Sequence, residues 1–177
     1  MIFKETGLRG AYIIEIEQKK DERGFFARSF CQQEFKDTGI DFNIVQSDIS
    51  YNRTKGTLRG MHYQAAPHEE AKIVTCVKGA IYDVIIDLRA DSSTYRKWFA
   101  LELNGRDYAS LYIPKGFAHG FQTLENDAVV SYQMDEFYYP ESARGVRWDD
   151  PAFKIEWPLK SPIISAKDNS YKMTNSL

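Results

Sequence analysis

Histidine is scarce in this chain, with three in 177 residues, and cysteine scarcer still, with two. Neither Cys31 nor Cys76 has a partner at metal-ligand spacing. Cys76 lies in the apolar run Ile73-Val74-Thr75-Cys76-Val77, where a buried free thiol is expected and a disulfide is not. An excess of one charge is also missing: 23 Lys+Arg face 25 Asp+Glu, a formal net charge of −2. That balance excludes a global basic field for nucleic acid or an anionic membrane, so any anionic ligand must be held by a local site. Long hydrophobic runs are absent too. Apolar stretches such as Val84-Ile85-Ile86 are a few residues long, against the ~20 needed to span a bilayer, and the N-terminus has no secretory core. A soluble, cytoplasmic protein is expected, with neither nucleic acid nor membrane as partner. Six scattered prolines mark no linker, and no repeat or low-complexity tract divides residues 1–177, which read as a single domain.

Aromatic residues are plentiful at 14%, with eleven Tyr and eleven Phe, and such side chains favour pleated, half-buried surfaces. Short β-type runs recur at 11–17, 24–30, 42–50, 57–64, 72–77, 80–88, 97–103, 109–113, 120–124 and 128–134. Lys78-Gly79, Asn104-Gly105 and Lys115-Gly116 supply turns between them, and Pro114 closes a strand it could not continue. Helical character is confined to 32–38, ending at Gly39. The pattern predicts an all-β fold with few short helices: a sandwich, jelly roll or cupin barrel. Residues 141–177 lack periodicity and read as a covering segment that wraps the barrel.

Two histidines stand in dense polar-aromatic clusters: His62 in Arg59-Gly60-Met61-His62-Tyr63-Gln64, and His119 in Gly116-Phe117-Ala118-His119-Gly120-Phe121. His68, in the loop-like Ala65-Ala66-Pro67-His68-Glu69-Glu70, reads as a solvated surface residue. His62 and Gln64 alternate onto one face of a strand, the face a barrel turns toward a ligand. A core histidine bonded to a backbone carbonyl would look the same. Lys72 opens a predicted interior strand, where a lysine is costly to bury without a purpose, although it could also snorkel from a strand end. Tyr132, in Val129-Val130-Ser131-Tyr132-Gln133-Met134, is a hydroxyl in an otherwise apolar run, either reactive or merely core filler. On a regular strand Arg59 faces away from His62, so both can serve one pocket only near a strand end, at a twist, or at a bulge that Gly60 could allow.

Seven strings in order span nearly the whole chain: Asp21-Glu22-Arg23-Gly24-Phe25-Phe26, Leu58 to Gln64, Lys72-Ile73-Val74, Asp87-Leu88-Arg89, Pro114 to Phe121, Trp148-Asp149-Asp150-Pro151 and Ser165-Ala166-Lys167-Asp168. In order and spacing they resemble the dTDP-4-dehydrorhamnose 3,5-epimerase family. That resemblance implies a cupin barrel, a homodimer exchanging N-terminal strands, no cofactor and no metal, and epimerisation of a nucleotide-linked 4-keto-6-deoxy sugar. It further implies roles for particular residues. His62 is the base, oriented by Asp168; Lys72 faces the enolate oxygen; Tyr132 returns a proton from the other side. Arg23 and Arg59 hold the diphosphate and nucleotide, Tyr138 stacks on the base, and His119 lines the sugar pocket. Gln64 and Lys167 fall in matched motifs and join the substrate-binding set. The chemistry is coherent, because a C4 ketone acidifies the hydrogens on C3 and C5 and inversion needs a base and an acid on opposite faces.

Departures from the family pattern are equally specific. Gly24-Phe25-Phe26-Ala27-Arg28 puts a donor, Arg28, where glutamate is usual, which puts thymine recognition in question. Gln46-Ser47-Asp48 replaces a usual Gln-x-Asn, and Glu70 stands where glutamine is usual, so both add negative charge near the expected site. Gln46, Asp48 and Arg28 are accordingly expected to touch substrate. Other readings remain open: an epimerase acting on C3 or C5 alone or on a different nucleotide sugar, and a barrel that binds nucleotide sugar without turnover. A metal-dependent cupin would need three or four converging ligands, and Gln64 stands where a second ligand histidine would be expected.

Overall fold

The computed structural model describes residues 1–174, so the last three residues of the expected 1–177 domain lie outside it. In chain order the elements are β1 (Ile2–Glu5), β2 (Tyr12–Glu15), β3 (Lys19–Asp21), β4 (Gly24–Phe26), helix α1 (Gln32–Asp37), β5 (Gln46–Asn52), β6 (Thr57–Gln64) and β7 (Lys72–Lys78). They continue with β8 (Ala80–Asp87), β9 (Trp98–Asn104), β10 (Ser110–Ile113), β11 (Phe117–Thr123), β12 (Ala128–Met134), β13 (Ala143–Gly145), β14 (Ile163–Ile164) and a 3-10 turn at Asp168–Ser170. The first six-stranded sheet runs β1-β2-β10-β7-β12-β5. A second sheet runs β13-β6-β11-β8-β9, with β14 added in parallel beside β6.

These two sheets face each other across a shared core. Val74, Cys76, Leu111 and Val130 from the first interleave with Ile81, Ile85, Leu103, Phe117 and Phe121 from the second. Each large apolar side chain buried there contributes on the order of 1.5–3 kcal/mol. Alternation explains the register: Val74 and Cys76 point inward while Thr75 between them bonds Ser110 on β10, Oγ to Oγ, at 2.6 Å. A smaller aromatic cluster of Phe3, Phe30, Phe42 and Tyr112 around Phe35 seats α1 against the first sheet. The helix stops as the sequence predicts, with Gly39 at φ +83 and its N–H donating to Lys36 O at 2.9 Å.

Cys76 is a buried free thiol, as expected, and burial pushes it up to about 11. Three strand expectations shift. The run 42–50 becomes strand only from Gln46, and 24–30 ends at Phe26, since Phe30 and Phe42 turn inward to pack on Phe35 instead of alternating. In contrast, 120–124 starts earlier, at Phe117, because β11 pairs along its full length with β8. β1 and β3, not foreseen, are short and mostly exposed. The C-terminal segment wraps as expected and also pairs: β13 and β14 both join β6, while Gln122 exchanges two 2.9 Å hydrogen bonds with the Leu159 backbone.

Candidate active site

β6 carries the irregularity on which the site depends. His62 pairs with His119, yet Arg59, three residues back, pairs with Phe121, two residues on. One extra residue is thus accommodated at Gly60-Met61, a bulge that turns Arg59 toward the same side as His62. Glycine is needed there for two reasons: its φ is +139, and a Cβ would lie 2.6 Å from Gly120 Cα.

His62 Nε2 bonds Asp168 Oδ1 at 2.7 Å. A carboxylate only accepts, so Nε2 carries the hydrogen, and in the neutral ring Nδ1 then keeps its lone pair. Asp168 is buried, its Oδ2 accepts the Gly60 N–H at 3.3 Å, and its own N–H donates to Ser165 Oγ at 3.0 Å. Burial alone would raise this carboxyl, but the hydrogen bond from His62, the charge that ring carries when protonated, and the bonds from Gly60 and Ser165 outweigh it and hold the group below the ordinary carboxylate range. It therefore stays an acceptor. Tyr171 closes against the imidazole edge-on, with ring centroids 5.9 Å apart.

Across the cleft, the first sheet supplies Lys72 and Tyr132, which line the same space of about 260 Å³ as His62, Gln46, Asp48, Glu70, Met134 and Tyr138. Lys72 is 7% exposed, and its Nζ donates to Glu70 Oε1 at 2.6 Å. Burial, followed by the charge of Asp83, pushes the Tyr132 hydroxyl far above the ordinary phenol range, so it is held as a protonated acid. An adjoining recess of about 140 Å³ shares His62, Glu70 and Tyr138 and adds Tyr63, Arg144, Lys167 and Tyr171. Gln46 Nε2 donates to Asp48 at 2.8 Å while its Oε1 accepts the Tyr138 N–H at 3.1 Å, fixing the segment that presents Tyr138. Arg59 leans toward β5, with Nε donating to Asn52 at 2.7 Å.

A family model described as dTDP-4-dehydrorhamnose 3,5-epimerase matches residues 5–176. The chain belongs to that family. It is 40% identical over 173 residues to the dTDP-4-dehydrorhamnose 3,5-epimerase of Methanothermobacter thermautotrophicus, covering 96% of this chain and 92% of that one. Its structure is similar to the Bacillus anthracis epimerase with TDP and PPi bound, at TM-score 0.94 and 39% identity, over 97% of this chain and 98% of that one. The Legionella pneumophila epimerase in complex with dTDP-4-keto-L-rhamnose superposes at TM-score 0.92 and 36% identity, over 98% and 93%. The fold is the cupin barrel of this family, and membership makes the chain an isomerase of the epimerase class.

Of the residues anticipated in this epimerase, His62, Asp168, Lys72, Tyr132, Gln46, Asp48, Gln64, Tyr138 and Lys167 gather at the cleft. Arg59 is in neither lining and bonds Asn52 instead, and three others stand elsewhere. His119 does not line it: the side chain is buried in the barrel behind, with Nε2 donating to Asp83 at 2.8 Å and its ring edge-on to Tyr132. Arg23 is 85% exposed on the β3–β4 hairpin and paired with Asp21, and Arg28 is bonded to Glu34 at 2.6 Å beside Met1 and Glu17. Within one chain neither arginine reaches the cleft. His68, expected in solvent, is instead half-buried and stacked on Tyr139 at 3.5 Å. Tyr171, Tyr63 and Arg144 were missed, since nothing in the aperiodic C-terminal segment or in simple alternation marks them. Among the described residues no three His, Cys, Asp or Glu side chains converge as a metal site.

Proposed function

We propose that this cleft epimerises a dTDP-linked 4-keto-6-deoxy hexose, converting dTDP-4-keto-6-deoxy-D-glucose to dTDP-4-keto-L-rhamnose by inversion at C3 and C5. The observation that carries the reading is that His62 comes from one sheet, Lys72 and Tyr132 from the facing sheet, and all three line one space. His62 Nδ1 takes the proton from the carbon beside the ketone, and the C–H electron pair moves into an enolate. A positioned base of this kind contributes ~10²–10⁴ in rate. Lys72 Nζ meets the negative O4, where one preorganised donor is worth about 3–4 kcal/mol. Tyr132 then delivers its hydroxyl proton to the opposite ring face, and solvent restores the phenol and discharges the imidazolium. Because acid and base stand on different walls, the returned proton inverts the carbon.

The nucleotide extends past Tyr138, whose half-exposed ring offers a stacking face, with Arg59 and Lys167 as cations for the diphosphate and its neighbourhood. Working as a homodimer of single-domain subunits in the cytoplasm completes the reading. It is supported by the β3–β4 hairpin, which stands apart from both sheets with Phe25 43% and Phe26 75% exposed. No helix among the described residues is long and apolar enough to cross a membrane. Incubation with dTDP-4-keto-6-deoxy-D-glucose in D₂O tests the function: deuterium is expected at C3 and C5 by NMR. No incorporation from that or any other nucleotide-linked 4-keto sugar overturns it.

A further inference from the structure

We infer that Glu70 is a positioning residue for Lys72, tying the ammonium that meets the enolate to the segment that presents Tyr138. The inference rests on the epimerase reading above and adds a part that the acid, base and enolate donor do not include. Glu70 Oε1 accepts from Lys72 Nζ at 2.6 Å, and Glu70 Oε2 accepts from Gln64 Nε2 at 3.3 Å. The side chains of Lys72 and Glu70 are 8% and 13% exposed, so the pair is largely withdrawn from water. Gln64 in turn grips the backbone on both sides of Tyr138, its Nε2 donating to Phe137 O at 3.0 Å and its Oε1 accepting the Tyr139 N–H at 2.7 Å. A continuous chain of bonds thus runs from the ammonium to the aromatic that meets the nucleotide.

At position 70 of this chain the two bonds fall on separate oxygens. Both neighbours present N–H groups to it, and the Gln64 amide cannot flip without breaking its bonds to Phe137 and Tyr139. A carboxylate accepts from both at once. A glutamine in its place keeps one oxygen and sets its NH₂ against the other donor, so Lys72 and Gln64 must share that oxygen, which moves the ammonium, or one of them loses its partner. The other charged or titratable groups lining the space beside Lys72 are Tyr132 on β12, Asp48 on β5, His62 on β6 and Tyr138 after β12. Tyr132 is held neutral, Asp48 is bonded to Gln46, and His62 is bonded to Asp168. Glu70 is left to direct Lys72.

Glu70→Gln, assayed as the full-length chain by deuterium exchange into dTDP-4-keto-6-deoxy-D-glucose, should lower kcat about 10- to 100-fold, the cost of a displaced catalytic group. The Kd for dTDP should stay within about twofold, because the loss falls on the reacting centre. In a Lys72→Met background the same substitution should change the remaining exchange less than about twofold, since a residue acting only through Lys72 has nothing left to position. Glu70→Asp, which keeps the charge, should recover most of the rate. Wild-type turnover by Glu70→Gln, an equal loss in the Lys72→Met background, or a Glu70→Asp chain as slow as Glu70→Gln would each overturn the inference. Absence of exchange in the unmodified chain would instead remove the epimerase reading, and this inference with it.

Discussion

Tyr132 shows how a single side chain acquires a direction. Its hydroxyl is held protonated by burial and by the nearby charge of Asp83, while His62, with Nε2 committed to Asp168, is left as an acceptor at Nδ1. Tyr132 starts with a proton to give, and the Nδ1 lone pair of the neutral His62 ring is placed to receive one. Replacing Tyr132 by Phe should therefore separate two processes that inversion normally joins. Deuterium from D₂O should still enter the substrate with configuration retained, through His62, while the inverted product falls by about 10²–10⁴. NMR of the reaction mixture reads both. Equal loss of retained exchange and of inversion would move Tyr132 out of the acid's role.

Within an element, the decisive feature is the bulge in β6. Period-two alternation puts Arg59 and His62 on opposite faces, and the extra residue at Gly60-Met61 cancels that opposition. The glycine was readable as a possible bulge, but not its close contact with Gly120, because strand pairing across the sheet leaves no trace in local sequence. Gly60→Ala forces a side chain to φ +139 and against the β11 backbone. The combined strain and overpacking should cost about 3 kcal/mol, or roughly 6–12 °C in melting temperature for a chain this size. Exchange activity should fall with it even below the transition, since the His62 wall shifts. An unchanged melting curve with full activity would show that the strand tolerates a side chain there.

At the scale of the whole molecule, fold class was legible because strand-length apolar runs are separated by Gly-bearing turns, and β6 and β12 match their expected bounds. What escaped were pieces whose structure comes from partners distant in sequence: β1, the β3–β4 hairpin, and the C-terminal strands that exist only as additions to β6. The His62–Asp168 pair spans 106 residues, a distance no spacing rule covers, and only the family resemblance named it. Arg23 and Arg28 were anticipated at the site, and in one chain they stand away from it on or beside the exposed hairpin. The dimer proposed above would account for both facts. Light scattering should give about twice the 20.5 kDa chain mass, and Phe26→Asp, by placing a charge where an apolar contact is expected, should yield monomers with weakened dTDP binding. A wild-type monomer with full dTDP affinity would refute the dimer.

The near-contact of Gly60 with Gly120 leaves β6 and β11 touching main chain to main chain, with no side chain between them to absorb a change. Attempts to retarget this scaffold to other sugars should therefore leave strand length untouched. One inserted or deleted residue in β6 would rotate the imidazole out of the barrel, because every side chain beyond the change would switch faces.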